Sequence, residues 1–186
     1  MEADWEFEVG GDAPVIDATW AGLLDLRAEP ERANELAEVA EFPALGRALA
    51  RLNDAGSPVW TSKCDFWPVL DQAEFNGDEL DAPPGRTTHA MGCYIDLMSN
   101  CDGQWISPAT VGEACRLFCA RLHAVPLRCC RADLVIRRAI IAPEQTDFGI
   151  TAYLTSCGGS AGEAAIALEA ALNVFAGAIL GTPASA

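Results

Sequence analysis

The sequence predicts an α+β fold, a two-layer sandwich in which helices pack on one face of a mainly antiparallel sheet. Two segments, 107–122 and 160–179, each place apolar residues along one narrow helical stripe. Strand-like segments rich in β-branched and aromatic residues lie before and between these helices, and two of the strands are joined by a short polar link. Helices with a single apolar face, combined with adjacent strands, are typical of one sheet that is covered on one side.

The first half of the chain contains both element types. The predicted order is a strand at 5–9, a turn at 10–14, a helix at 31–41, a second helix from Pro43 to a stop at Gly56, and a strand at 58–67. Leu45, Leu49 and Leu52 recur at the spacing of one helix face. Segment 15–27 fits no single element. An acidic loop follows at 71–86, and its acids lack the spacing of a calcium-binding loop.

The second half predicts the order strand, helix, strand, strand, helix. The elements are a strand at 89–98, a helix capped by Ser107, two strands at 134–141 and 149–156 that form a hairpin, and a final helix capped by Ser160. Ser160 and Glu163 form a capping box, in which the hydroxyl and the carboxylate each accept a hydrogen bond from a backbone N–H group. The bulky stripe of the final helix is Leu168, Leu172, Phe175 and Ile179.

Length and composition predict one domain over residues 1–186. With 51% hydrophobic residues the chain is too apolar to be natively disordered. The formal net charge is −15, and residues 1–81 hold 19 acids and 5 bases, while the mainly neutral part that contains 88–181 is nearly balanced. Because nucleic acids and anionic membranes bind clustered cations, this charge disfavours both as partners.

The chain is expected to be a soluble cytoplasmic protein. Its first residues lack the basic and apolar pattern of a secretory signal. The most apolar run, 164–180, is interrupted by Glu169 and Asn173 and rich in alanine, which favours a soluble helix over a membrane span. The eight cysteines are therefore expected to be reduced thiols. The alanine-rich face of this helix suggests a homodimer interface.

Six arginines form a basic cluster in the sequence, within 23 residues that contain a single acid, Asp133. They are Arg116, Arg121, Arg128, Arg131, Arg137 and Arg138. Two interpretations are open. The guanidinium groups pair with the acidic first part of the chain, or they line a pocket for a carboxylate or phosphate ligand.

The junction of the last strand and the last helix is the most suggestive stretch for chemistry. Gly158 and Gly159 lead into a helix N-terminus, whose free N–H groups suit an anion. Cys157 and Ser160 are the candidate nucleophiles, and residues 158–162 match the Gly-x-Ser-x-Gly pattern. Both histidines, His89 and His123, precede the serine, so the order of a hydrolase triad is absent. The competing interpretation is a buried thiol and a helix cap.

Cys64, His89 and Cys93 form the best candidate metal site. His89 and Cys93 are four residues apart on one predicted strand and so share a face, and Cys64 is on a neighbouring strand. No fourth ligand is evident, and no particular cofactor is indicated. Lys63 lies beside Cys64 but points to the other face of a regular strand.

These patterns favour a binding or accessory protein for a small anionic ligand or for a protein partner, which includes a second copy of the chain. The alternative is a hydrolase or thiol enzyme that uses Cys157 or Ser160, with His123 or His89 as its base. Trp60, Trp67 and Trp105 are candidates to line an apolar pocket, or to serve as core residues.

Overall fold

A six-stranded mixed sheet with helices on one face organises the computed structural model, which describes residues 1–11, 13–69, 75–83, 88–101 and 103–182. The predicted α+β class is therefore confirmed. The strands are β1 (Glu2–Glu8), β2 (Ile16–Asp17), β3 (Val59–Val69), β4 (His89–Ser99), β5 (Cys130–Ala142) and β6 (Gln145–Gly158). The helices are α1 (Ala37–Glu41), α2 (Pro43–Leu52), α3 (Pro108–His123) and α4 (Ala161–Leu180), and 3-10 helices form at Pro30–Glu35 and Gly77–Leu80.

The strand order across the sheet is β1-β5-β6-β4-β3, and β2 also pairs with β5. The pairs β5–β6, β6–β4 and β4–β3 are antiparallel, as predicted. β1 and β2 run parallel to β5, and Glu2 is in register with Arg131. Local pattern cannot reveal a partner this far away in the sequence, so the parallel edge is a finding of the structure.

The main core lies between the sheet and the helices. Alternate residues of the central strands, such as Ile95, Leu134 and Leu154, are fully buried on the side that faces α3 and α4. α4 packs against both α2 and α3 and contributes Leu168, Leu172 and Phe175 to this core. Burial of these stripes is the main source of stability, because apolar area removed from water contributes about 25 cal/mol per Å².

Several predicted boundaries are shifted. The helical pattern at 31–41 divides into a 3-10 helix and α1, because Leu36 between them is extended, with φ −73° and ψ 137°. α2 ends at Leu52, where the Asn53 side chain donates to the carbonyl of Leu49, rather than at Gly56. The hairpin strands extend to Ala142 and Gln145, so the link predicted at 143–148 is a two-residue turn in which Glu144 has a φ of 65°.

Several alanines of α4 are buried within the chain, whereas Ala165, Ala167 and Ala170 are half-buried, and the homodimer stays a prediction. Ala171, Ala176 and Ala178 are all buried, and α2 packs along the helix. By length and composition α4 is apolar enough to cross a membrane, but 56% of that window is buried inside the fold, as in the core helix of a soluble protein. All eight cysteines are free, as expected.

Two segments cover the ends of the other sheet face. At one end, Ile16 and Ala18 pack with Trp60 and Met98. The chain then passes the outer edge of β3, where Leu24 and Leu26 join the helix-side core. At the opposite end, Leu80 and Ala82 pack over Ala90 and Cys157. The predicted acidic loop at 71–86 is described only at 75–83, and its other residues lie outside the described part.

Candidate functional site on the open face of the sheet

The middle of the sheet face opposite the helices carries exposed and half-buried side chains, and we call it the open face. Strand alternation and the pairing register place a set of charged and aromatic side chains on this face. They are Glu2, Asp4, Glu6 and Glu8 of β1, Arg131, Asp133 and Arg137 of β5, Tyr153 of β6, Tyr94 and Asp96 of β4, and Lys63, Asp65 and Trp67 of β3. The face is therefore acidic at its margins and aromatic along its centre.

A row of three aromatic rings crosses the central strands of the open face. The Trp67 and Tyr94 ring centroids are 6.3 Å apart, and those of Tyr94 and Tyr153 are 6.2 Å apart. Trp67 keeps 37% of its surface exposed. Its indole lies against Gly92, where an added Cβ would be 2.8 Å from the ring. A glycine on β4 is thus what allows the ring to lie flat on the strand.

Arg137 occupies one end of this row. Its guanidinium lies 5.5 Å from the Tyr153 ring centroid, donates to the Tyr153 hydroxyl at 2.9 Å, and pairs with the carboxylate of Glu8. Three types of interaction therefore hold one cation: stacking on an aromatic ring, a hydrogen bond to a phenol and an ion pair.

Asp96 is a buried carboxyl beneath the row, with 6% of its surface exposed. Thr151 Oγ1 donates to its Oδ1 at 2.7 Å. Burial raises the pKa of Asp96 above its ordinary value, and the Thr151 hydrogen bond and the charges of Arg137 and Lys63 oppose this rise. Perturbed carboxyl groups of this kind concentrate at functional sites.

Tyr94 lies between two carboxylates. Asp65 is directly opposite it on β3, and Asp96 is two residues further along β4 on the same face. Burial, followed by the charges of Asp96 and Asp65, raises the pKa of Tyr94 to about 12. Both carboxylates therefore help to raise the pKa of the same tyrosine, and its hydroxyl stays protonated near neutral pH.

A hollow of about 390 Å³ adjoins Tyr94 and Asp65 at the outer edge of β3. The strand register shifts between Thr61 and Cys64, which marks a bulge at this place. Lys63 lines the hollow with its Nζ 5.5 Å from the Trp20 ring centroid. Ser62 Oγ is buried at the bulge and also lines the hollow, and among the described side chains it is the one buried polar atom without a hydrogen-bond partner.

The six clustered arginines are distributed over separate parts of the fold. Three pair with carboxylates: Arg128 with Asp81, Arg131 with Asp133, and Arg137 with Glu8. Arg121 donates to the carbonyl of Ala178 at the end of α4, and Arg116 stacks on Trp5. Arg138 follows Arg137 on β5, so alternation sends its side chain to the other face. The structure does not bring these six groups together in one pocket.

The turn before α4 forms the predicted capping box. Ser160 Oγ accepts from the Glu163 N–H at 3.2 Å, and the Glu163 carboxylate accepts from the Gly159 N–H at 2.8 Å. Gly158 packs so closely on α4 that an added Cβ would lie 2.6 Å from Glu163 Cβ. Because a carboxylate already occupies this N-terminus, it disfavours a further anion.

The candidate nucleophiles have one histidine nearby. His89 is paired with Gly158 across the sheet, and its Nδ1 lies 2.9 Å from Thr88 Oγ1. His123 follows Arg121, which contacts Ala178. His123 is the last residue of α3, where the N-terminal amino group donates to the carbonyls of Leu122 and Val125. Cys157 is 1% exposed and is covered by Leu80 and Ala82.

The three candidate metal ligands are not all close together. His89 and Cys93 are four residues apart on β4, which separates their backbones by about 13 Å. Cys64 and Cys93 lie on the helix side of the sheet, and burial raises the pKa of each thiol to about 12. Within the described ranges, no group of three or more His, Cys, Asp or Glu side chains is placed to hold a metal ion.

Sequence reasoning identified Trp67 but not its partners on the open face. Trp60 and Trp105 are core residues, with 5% and 4% exposure. The signal for the site was present in β4, where Tyr94 and Asp96 alternate with the apolar Cys93, Ile95 and Leu97.

Comparison of the chain with protein-family models, curated proteins and solved structures finds no match. The function is therefore inferred from the chemistry of the open face.

Proposed function

We propose that the protein is a binding protein and that a segment of a partner protein lies across the open face. The observation that carries this proposal is the aromatic row formed by Trp67, Tyr94 and Tyr153. A sheet face that is left to solvent is normally polar. Aromatic residues and arginine are enriched in protein interfaces, where large rigid rings contribute contact area at a small cost in conformational entropy.

The shape of the open face supports an extended partner. Segments around 16–18 and 80–82 cover its two ends, so the aromatic row lies in a trough between them. Its charge disfavours a small anion, because carboxylates outnumber the guanidinium groups and both Arg131 and Arg137 are already paired. A partner of opposite charge fits this surface better.

The enzyme alternative has less support. A reactive thiol needs a lowered pKa and access to solvent. Burial instead raises the pKa of Cys64, Cys93, Cys115 and Cys130 to about 12, and that of Cys119 to about 11. The hydroxyl of Ser160 is used as a helix cap, which accounts for this serine without catalysis.

Site-specific photocrosslinking in the cells that make the protein tests the proposal. Tyr94 is replaced by p-benzoylphenylalanine, an aromatic residue of similar shape, and Ile166 receives the same replacement as a control. Ile166 is 70% exposed on the helix side, so crosslinking at this position measures non-specific encounters with other proteins. We expect a discrete crosslinked species from position 94 that is absent from position 166.

Mass spectrometry of the adduct then identifies the partner. A different protein crosslinked at position 94 supports the proposal. A second copy of this chain supports binding at the open face but replaces the partner by a homodimer. Equal crosslinking from both positions, or crosslinking from position 166 alone, would contradict it.

A further inference from the structure

We infer that the partner segment is basic, and that one of its arginine side chains stacks on Trp67 and Tyr94 with Asp65 as its counter-charge. This inference rests on the proposed function and adds the chemistry of the partner. It depends on three independent observations: the distribution of the chain's own cations, the charge of the open face and the buried hydroxyl of Ser62.

The chain stacks its own cations on four aromatic rings. The distances from cation to ring centroid are 4.2 Å for Arg27 on Trp60, 5.5 Å for Lys63 on Trp20, 5.4 Å for Arg116 on Trp5, and 5.5 Å for Arg137 on Tyr153. Within the described part of the chain, no cation lies over Trp67 or Tyr94. The exposed half of the aromatic row therefore has free ring surface beside a carboxylate, in the arrangement that attracts a cation.

The charge of the open face has the matching sign. It carries seven acidic side chains, Glu2, Asp4, Glu6, Glu8, Asp65, Asp96 and Asp133, and three basic ones, Lys63, Arg131 and Arg137. Asp65 is exposed, and it accepts a local hydrogen bond from the Phe66 N–H at 2.7 Å. In the described residues it forms no ion pair.

The hollow beside β3 supplies a hydrogen-bond acceptor that lacks a donor. Ser62 Oγ is buried there, and Asp65 and Tyr94 line the same hollow. Buried polar atoms are nearly always paired, and this hydroxyl has no protein partner among the described residues, so the wall of the hollow is polar beside Asp65. A guanidinium has five donors in a planar fork, so it can stack on a ring and still donate to Asp65, whereas an ammonium has no plane with which to stack.

Peptide binding to the full-length chain tests the inference. The probe is a fluorescein-labelled peptide in which arginine alternates with serine, because alternation places every arginine on one side of an extended segment. The control peptide has citrulline, a neutral isostere, at each arginine position. We expect the arginine peptide to bind at least about tenfold more tightly by fluorescence anisotropy, because charge-assisted and cation–π contacts add to each other.

Indole signals in the NMR spectrum locate the binding. The Trp67 Nε1–H signal should shift on addition of the arginine peptide. The Trp60 indole is an internal control, because it is buried and donates to the carbonyl of Ser99 at 3.1 Å. A shift confined to indoles other than Trp67 would overturn the inference.

Two variants and a matched control complete the experiment. Asp65→Asn and Trp67→Ala should each weaken binding of the arginine peptide by about tenfold, whereas Glu113→Gln, an exposed acid on α3, should not change it. Asp65 is exposed, so Asp65→Asn should fold normally, and its urea unfolding curve verifies this. Equal affinity for the arginine and citrulline peptides, or unchanged affinity in Asp65→Asn, would overturn the inference.

The experiments can contradict the binding function and the basic chemistry of the partner separately. If position 94 crosslinks to a partner but the arginine peptide does not bind, the chemistry of the partner is wrong and the binding function stands. If neither occurs, both are wrong. Equal binding of a lysine peptide would overturn the choice of arginine and leave the charge of the partner correct.

Discussion

At the scale of single residues, the least expected feature is Asp96, a carboxyl group within the sheet. Its hydrogen bond from Thr151 compensates part of the cost of burial, but not all of it, since its pKa is still raised. The position is therefore costly for an ionised group and favourable for a neutral one. Asp96 lies on the open face, paired with Thr151 across the strands, rather than in the core on the helix side of β4.

We predict that Asp96→Asn stabilises the protein at neutral pH. Because burial raises its pKa, folded Asp96 keeps its proton to a higher pH than it does in the unfolded chain, whose pKa is about 3.9. The stability that this group contributes is fully present below the unfolded pKa, and it is lost as the pH rises through the folded pKa. The advantage of the variant should therefore widen from about pH 3 to about pH 7.

Urea unfolding across this pH range measures the effect. The exposed Asp65→Asn is the matched control and should change the free energy of unfolding by less than about 0.5 kcal/mol. A wild-type protein that is more stable than Asp96→Asn at neutral pH would show that attraction by Arg137 and Lys63 outweighs burial.

Gly92→Ala should displace the Trp67 ring with little loss of stability. The new methyl group would lie 2.8 Å from the indole, and the ring can move because it is partly exposed. We expect a red-shifted tryptophan emission and about tenfold weaker binding of the arginine peptide, the same loss as in Trp67→Ala. Gly56→Ala is the control, since nothing lies within 4 Å of its added Cβ. Unchanged emission in Gly92→Ala would contradict the described packing.

At the scale of elements, α4 shows how both ends of a helix are satisfied. Ser160 and Glu163 cap its first turn, and Gly181 ends it with a φ of 69°. Arg121 donates to the carbonyl of Ala178 near that end, where a cation is favoured by the helix dipole. Two of the residues that looked catalytic or ligand-binding in the sequence, Ser160 and Arg121, thus serve the two ends of one helix.

Substitution of Ser160 separates capping from catalysis. Ser160→Ala should lower the free energy of unfolding by about 1 kcal/mol, because an N-cap acceptor is lost. Ser160→Asp should restore most of this stability, because aspartate is an equally good N-cap but has no hydroxyl nucleophile. Thermal unfolding of the two variants measures the difference. If Ser160→Asp is as unstable as Ser160→Ala, the hydroxyl has a role other than capping.

Elements were predicted better than their arrangement. The apolar stripes of α3 and α4 and the alternation of β4 are local signals, and the corresponding elements form close to their predicted limits. The arginines that cluster in the sequence are dispersed in the fold, because their density in the sequence does not determine the direction of each side chain. Arg116 and Arg121 are on a helix, whereas Arg131 and Arg137 are on the opposite side of the sheet. Trp67, Tyr94 and Tyr153 are on three strands, and only the pairing register brings them together.

At the scale of the whole molecule, the net charge of −15 affects stability and binding in opposite directions. Added salt screens the repulsion between surface acids such as those of β1, so the urea midpoint should rise between about 20 and about 300 mM NaCl. Over the same range, the affinity for the arginine peptide should fall. The affinity of the citrulline peptide is the control and should change little. A salt-independent affinity for the arginine peptide would contradict charge recognition.

The parallel pairing of β1 with β5 has a consequence for the order of folding. The hairpin of β5 and β6 joins neighbours in the sequence, but Glu8 and Arg137 are 129 residues apart. Contacts between distant residues close large loops and form slowly. During synthesis, β1 emerges first and must wait until most of the chain has followed before its partner exists. Until then Trp5 and Phe7 have no sheet to join, so insertion of the first strand completes the sheet only late in synthesis.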